Sequence, residues 1–498
     1  MKSTTPSLLC DFYKISHKAQ YPAGTEVVYS TWIPRTSRMT GVDHVVAFGF
    51  QAFIEKYLIE YFNEHFFNKS KLSVVTEYSR IISATLGVAN PDTKHLEELH
   101  DLGYLPIKIS ALAEGTLTPL RVPMLVIENT DKRFFWLTNF LETLMSCELW
   151  LAATSATTAY EYKKILNWWA EKTDEKNMGF VQFQGHDFSM RGMACLEAAE
   201  LSGSGHLLSF VGTDTIPAIC HLERYYGADV TKELVGTSIP ATEHSVMCSY
   251  GEDNEAETYR HLIEDVYPSG FISIVSDTWN FWEVLDKIIR PMKSIILARD
   301  GKVVIRPDSG DPVKIICGDP NSSDPLVRKG AVEILWDIFG GTTNEQGYRC
   351  LDSHIGCIYG DAITLTRCRE ICENLAAKKF ASTNVVYGIG SYTYNYVTRD
   401  TFGFALKSTY VKVNGEERMI MKDPITDPGS IKKSLTGKCF VEYEDGDMSK
   451  IIVTDGLTEE EIGDQLDGEN NLLQVVFENG VQHNIQTLQQ VRDKLANG

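Results

Sequence analysis

No apolar run in the 498-residue chain approaches the roughly 18 residues needed to cross a bilayer, so no membrane-spanning helix is expected. Met1 to Ser7 is polar and leads straight into Leu8-Leu9-Cys10-Asp11, so no secretory leader is expected either. CxxC pairs are absent, and the 11 cysteines are odd in number and scattered. That pattern predicts reduced thiols in a cytoplasmic protein rather than a disulfide framework. Cys368 and Cys372 fall four apart on an expected helix, without further metal-type spacing around them. HExxH, Walker and EF-hand motifs are missing, as are low-complexity tracts and solenoid repeats. Positive charge is scarce: 47 Lys and Arg stand against 67 Asp and Glu, giving a net charge of −20. Such a chain is a poor partner for nucleic acid or anionic membrane. An anionic small molecule stays possible, because a site needs only local cations.

What is present reads as a globular enzyme. Apolar residues make up 43% and charged residues 23%, and the length alone predicts about three domains. Between residues 180 and 391, short apolar runs end abruptly in small and polar residues. Phe180-Val181-Gln182-Phe183 leads into Gly185-His186-Asp187-Phe188, and Leu207 to Val211 into Gly212-Thr213-Asp214-Thr215. Ile272 to Val275 leads into Ser276-Asp277-Thr278, and Val303-Val304-Ile305 into Arg306-Pro307-Asp308-Ser309-Gly310. Ile355 to Tyr359 leads into Gly360-Asp361, and Val385-Val386-Tyr387 into Gly388-Ile389-Gly390-Ser391. Stretches of helical period separate them, such as 218–226, 279–289, 327–339 and 365–380. Repeated strand, polar turn and helix predicts a parallel sheet, and six units suit an α/β barrel with strand ends converging at one mouth. The flanks alternate in strand fashion. The fold class expected is therefore α/β, with an irregular (β/α) barrel over 151–399. Residues 1–150 and 400–498 are expected to join into a second, β-rich α+β domain.

Several clusters could carry chemistry. Arg306 and Asp308, two apart past a buried strand, either clamp a phosphate and hold hydroxyls or Mg²⁺, or form an ion pair in a tight turn. Gly388-Ile389-Gly390-Ser391 either admits a phosphate to backbone N–H groups or is a plain turn, with Arg399 nearby in sequence. Phe188 could stack on a ring and Arg191 bind an anion. His244, in a Pro-containing turn, could be a general base or a phosphate donor or acceptor. Asp214, Ser276 and Asp361 each follow an expected strand and could equally be helix caps. Residues 397–438 hold 8 bases and 5 acids, whereas 439–498 hold 3 bases and 13 acids. The first stretch is either a solvated surface or a landing site for a phosphorylated substrate.

In this order the clusters resemble the nicotinamide phosphoribosyltransferase family of type II phosphoribosyltransferases. The resemblance runs from Leu8–His17 and Gln20-Tyr21-Pro22 through Trp136–Asn139, His186–Phe188, Arg191-Gly192, Gly212–Thr215 and Ala241–Ser245. It continues over Arg306–Gly310, Gly360-Asp361, Thr398-Arg399-Asp400 and Lys422-Asp423-Pro424. It implies a homodimer with active sites at the subunit interface. The implied reaction joins nicotinamide to phosphoribosyl pyrophosphate, releasing pyrophosphate, with Mg²⁺ and with ATP coupled through a phosphohistidine at His244. Nicotinate phosphoribosyltransferase is the nearest alternative, and a non-catalytic binding protein on the same fold is a third reading. The resemblance places the pyridine ring between Phe188 and Arg306, with Tyr13 of a partner closing the stack, and assigns Asp214 and Ser276 to the carboxamide. It assigns Arg191, His244, Arg306, Gly360, Asp361, Gly390, Ser391 and Arg399 to the phosphates and ribose. Arg35, Lys407 and Lys422 are further phosphate contacts, and Asp308 holds ribose hydroxyls or water around Mg²⁺. Four positions depart from the pattern of the animal enzymes: Ser391 for a glycine, Asn280 for an aspartate, Met190 for a tyrosine, and Ser37 for a basic residue. An amide at Asn280 cannot act as a charged partner of His244.

Overall fold

The computed structural model describes residues 4–360, 362–427, 432–445, 447–466 and 470–497. The chain forms two compact units. One comprises Met1–Thr157, Leu222–Ala228 and Val397–Gly498; the other comprises Thr158–His221 and Asp229–Tyr396. The short piece Leu222–Ala228 belongs with the chain ends, an assignment that nothing in its sequence signals. The division at Thr157 falls inside one long helix, Glu142–Thr173.

The composite unit is built on a seven-stranded sheet in which every pairing is antiparallel. Strand Thr25–Ile33 lies between Leu125–Asn129 and Ala405–Val413, and the three N-terminal strands sit together at the centre with C-terminal strands on both sides. β-branched and aromatic residues give the strand its preference, and Trp32 stacks on Phe404 at 5.3 Å. Ser30 pairs with Ser408 across the strands, their hydroxyls 3.0 Å apart. Asn139 donates to Ser408 at 2.6 Å and accepts from Ser30 at 2.9 Å. This part-buried polar knot fixes the register, because a one-residue slip would turn both serines away from Asn139.

The second unit carries six parallel strands. In space they run Gly212–Thr213, Gly185–Asp187, Val385–Ile389, Ile355–Tyr359, Asp300–Arg306 and Ser269–Val275. Single parallel bridges, Gly212 to Thr237 and Ala241 to Ser273, tie both edge strands to the segment 237–241. An irregular stretch thus joins the two edges of an otherwise regular sheet. Two expected strands are corrected. Val181–Gln184 is a helical turn, and the strand is Gly185–Asp187. Leu207 to Val211 continues from helix Leu196–His206 as a turn, and the strand is only Gly212–Thr213. Residues 207–211 are buried throughout, and an apolar run buried on all sides has no period to separate turn from strand; 180–183 is too short for a period to show.

Candidate active site

Parallel strands end on one edge, and that edge gathers the chemistry of the second unit. Strand Asp300–Arg306 delivers Arg306, whose Nη2 donates to the Thr242 carbonyl at 2.7 Å. Two residues on, the Asp308 backbone N–H donates to Asp277 Oδ2 at 3.0 Å, and Ser309 Oγ donates to the same oxygen at 2.5 Å. Asp277 follows strand Ser269–Val275 and is nearly fully buried. Its other oxygen, Oδ1, has no hydrogen-bond partner among the described residues and lies 3.7 Å from His244 Nε2. Asp308 Oδ2 lies 3.8 Å from the same nitrogen, and His244 Nδ1 is 3.1 Å from Thr278 Oγ1. His244 thus presents an open imidazole edge to two carboxylates. Gly360 makes room for Asp308: a Cβ there would lie 2.0 Å from Asp308 Oδ1 and push that side chain aside. Asp361 lies outside the described residues.

A cavity of about 530 Å³ opens inside this unit. Phe188, His186, Asp214, Ser238, Ser273 and Val304 are among its lining residues. Phe188 is seated by its backbone N–H on the Ile389 carbonyl at 3.0 Å and by its ring over Gly388, where a Cβ would come within 2.6 Å of it. Gly388, read from sequence as part of a phosphate loop, therefore makes room for an aromatic ring. Asp214 Oδ1 accepts from His186 Nε2 at 2.8 Å and from Ser238 Oγ at 2.6 Å. Burial alone would raise its carboxyl. The bonds from His186 and Ser238, with the charge of Arg306, instead hold it below the usual carboxylate range. The cavity thus combines an aromatic wall with an ionised acceptor, a design for a flat ring bearing an N–H donor.

Ser276 is corrected. Its hydroxyl is fully buried, accepting from Tyr259 OH at 2.8 Å and donating to the Ile274 carbonyl, and it does not line the cavity. Ser273, three residues earlier and on the opposite strand face, lines the cavity instead, its hydroxyl unpaired among the described residues. Asp277 was missed as a site residue although it stands directly after the same run. The Ser276-Asp277-Thr278 ending held the signal, but strand phase decides which side chain turns inward. Asn280 is not a partner of His244: it caps a helix, accepting from the Glu283 N–H at 3.3 Å, and Asp277 stands where a charged partner is needed.

Two motifs expected separately meet. Arg191 and Gly192 form an exposed turn, and a Cβ on Gly192 would lie 2.1 Å from Ser391 Oγ. Asn395 donates to the Gly192 carbonyl at 3.2 Å, so the loop after Gly390 and the Arg191 turn form one surface. Met190 is partly exposed beside it.

Tyr13, Arg35, Arg399, Lys407 and Lys422 belong to the composite unit, not the barrel unit. Arg399 thus lies in the composite unit and the Gly390 loop in the other. Arg35 Nε donates to the Gly403 carbonyl at 2.8 Å, and burial and the charge of Arg399 hold its guanidinium below the usual range. Lys407 lies 3.7 Å from Glu142, and burial, with the charges of Arg35 and Lys422, keeps its ammonium below the usual range despite that carboxylate. Lys14 also pairs with Glu142. Glu142 thus serves two lysines in a crowded cationic cluster, whose members gain from any added anion. Tyr13 is more than half exposed, with the Lys14 ammonium 5.3 Å from its ring centre. Ser37 hydrogen-bonds locally to Met39.

Among the described residues no helix is long and apolar enough to cross a membrane, and no group of three or more His, Cys, Asp or Glu could hold a metal ion. Residues 183–481 match the nicotinate phosphoribosyltransferase (NAPRTase) family model, and residues 7–109 match the nicotinamide phosphoribosyltransferase N-terminal domain. A nicotinamide phosphoribosyltransferase of Acinetobacter baylyi is 50% identical, over 98% of this chain and 96% of its own. One of Xanthomonas campestris pv. campestris is 31% identical over 97% of this chain and 96% of its own. Among solved structures, human nicotinic acid phosphoribosyltransferase superposes with a TM-score of 0.52 at 14% identity, covering 98% of this chain and 93% of that one. A nicotinate-nucleotide pyrophosphorylase from Pyrococcus furiosus gives 0.55 at 12%, covering 100% and 97%. These two likenesses speak to the fold.

Proposed function

The chain belongs to the nicotinamide phosphoribosyltransferase family, and from that premise we propose that it makes nicotinamide mononucleotide for NAD salvage. The pyridine nitrogen of nicotinamide attacks C1 of phosphoribosyl pyrophosphate; the C1–oxygen bond to the diphosphate breaks, and pyrophosphate leaves. The observation that carries this reading is Asp214, an ionised acceptor in an aromatic-lined cavity. It accepts a hydrogen bond from the carboxamide NH₂ and repels the carboxylate of nicotinate. Phe188 and Arg306 hold the ring, while Arg191, His244, Arg306 and the Gly390–Ser391 loop hold phosphates. Asp308, with Gly360 making room for it, holds ribose hydroxyls. The positive charge that develops on the ribose as the diphosphate departs is met by Asp308 and Asp277.

Mg²⁺ fits this arrangement in one way. Asp277 and Asp308 would hold the ion with two carboxylates, leaving the rest of its shell to substrate and water. The ion would neutralise the leaving diphosphate. ATP is proposed to transfer its γ-phosphoryl group to His244 Nε2, releasing ADP, with Thr278 Oγ1 at Nδ1 holding the imidazole. The composite unit's Tyr13, Arg35, Lys407 and Lys422 are proposed to complete the diphosphate and ring contacts of a second copy in a homodimer. The eleven free cysteines support a reducing, cytoplasmic setting.

The test compares turnover of nicotinamide and nicotinate with the same phosphoribosyl donor. The expected result is a clear preference for nicotinamide; a preference for nicotinate overturns the reading.

A further inference from the structure

The segment 237–242, which joins the two edges of the parallel sheet, contacts the site at several points. Ser238 donates to Asp214, the Thr242 carbonyl accepts from Arg306, and Thr242 Oγ1 accepts the Val275 N–H at 2.9 Å. Its hold on Asp214 is asymmetric. Both donors, Ser238 Oγ and His186 Nε2, reach the same oxygen, Oδ1. Oδ2 has no hydrogen-bond partner among the described residues, although Asp214 lines the cavity and its side chain is 45% exposed.

The His186 donor is itself fixed by what its neighbour lacks. His186 pairs with Gly212 on the adjacent strand, and a Cβ at Gly212 would lie 2.8 Å from His186 Nδ1. The ring also leans on Phe188 at 4.5 Å between centroids. A carboxylate can only accept, so Nε2 carries the proton in this bond.

We propose that Ser238 and His186 are positioning residues for base selection: by saturating Asp214 Oδ1, they present Oδ2 to the ligand as an acceptor without a proton. This deepens, and rests on, the reading of Asp214 given above. With Oδ1 doubly bonded, the carboxylate can neither rotate freely nor take up a proton on that oxygen. A carboxamide NH₂ then finds an acceptor, and an acid finds a like charge. Removing one donor loosens both constraints. Asp214 can turn, and a protonated Asp214 can donate to a carboxylate, so the discrimination against the acid collapses from both sides.

The experiment measures kcat/KM for nicotinamide and for nicotinate in the wild type, Ser238→Ala and Ser238→Thr. Ser238→Ala is expected to lower the amide-to-acid ratio by about ten- to a hundred-fold, through KM for nicotinamide rather than kcat, since one bond to a charged group is lost. Ser238→Thr keeps the hydroxyl and is expected to restore the ratio. KM for phosphoribosyl pyrophosphate should stay within about twofold in both, a reading that a merely structural role for Ser238 would move. Gly212→Ala, which displaces His186 without touching Asp214, should lower the ratio in the same direction. A wild type that prefers nicotinamide while Ser238→Ala keeps its ratio overturns this inference alone. A loss of phosphoribosyl pyrophosphate binding in Ser238→Ala overturns it too. A wild type that prefers nicotinate overturns the functional reading beneath it.

Discussion

The two units offer their side chains in opposite ways. In the barrel unit, Asp214, Asp277, Arg306 and Gly360 all come just after or at the ends of parallel strands, so one edge collects them. In the composite unit the sheet is antiparallel, and Lys407 stands within strand Ala405–Val413 while Arg35 follows the neighbouring strand Thr25–Ile33. The charges differ as well. The barrel edge brings carboxylates around one histidine; the composite unit brings crowded cations with Glu142 as the shared acid.

The strongest way to break this contrast is to damage the units separately and then mix them. Arg306→Ala should lower kcat/KM by about a thousandfold, the scale of losing a preorganised charge contact to a transition state. Lys407→Met should raise KM for phosphoribosyl pyrophosphate by about tenfold, the scale of one charge-assisted bond. If the composite unit serves the barrel of a second copy, dimers mixed from the two variants contain one intact site. They should recover about half the wild-type activity at low phosphoribosyl pyrophosphate. Mixed dimers no better than Lys407→Met would show that each chain completes its own site.

A smaller effect sharpens the barrel side. Incubation with ATP and Mg²⁺ should leave an acid-labile phosphoryl group on His244, and Thr278→Val, which frees Nδ1, should reduce its yield by about tenfold. An unlabelled His244 in the wild type would make it a plain diphosphate contact.

The same contrast explains what could be read from sequence. Buried parallel strands are continuous apolar runs, so Ile355–Tyr359 and Val385–Ile389 were legible, and with them the rule that chemistry follows the strand. That rule reached Asp214, Arg306 and Asp308. It chose Ser276 over Ser273 and passed over Asp277, because the inward phase of a strand depends on its partners rather than on its own residues. Ser238 escaped it because its segment is held by single bridges and has no periodic pattern. In the composite unit the strands were legible one by one but their pairing was not: Ser30 and Ser408 lie 378 residues apart, and nothing local links them.

The weakest effect on turnover, and the finest test of the difference between the units, is the pH dependence of stability. Glu114, fully buried in the composite unit, accepts from the Gln51 N–H at 2.7 Å and from Tyr226 OH at 2.8 Å. Burial pushes its carboxyl up to about 7, and the bonds from Gln51, Tyr226, Gly49 and Phe50 offset only part of that. A carboxyl whose folded pKa is raised binds its proton more tightly folded than unfolded. Its stabilising contribution is complete below the unfolded value near 4.5 and is lost as pH rises towards 7. Asp214 in the barrel unit, held below its usual range, has the opposite sign, its contribution being lost as pH falls. Glu114→Gln should therefore flatten the alkaline decline. From pH 5 to pH 8 the wild type should lose about 3 kcal/mol more unfolding free energy than the variant in urea titrations. The amide-to-acid preference, set in the other unit, should not change. Equal slopes for the two proteins would place Glu114 as an ordinary ionised carboxylate and remove this distinction between the units.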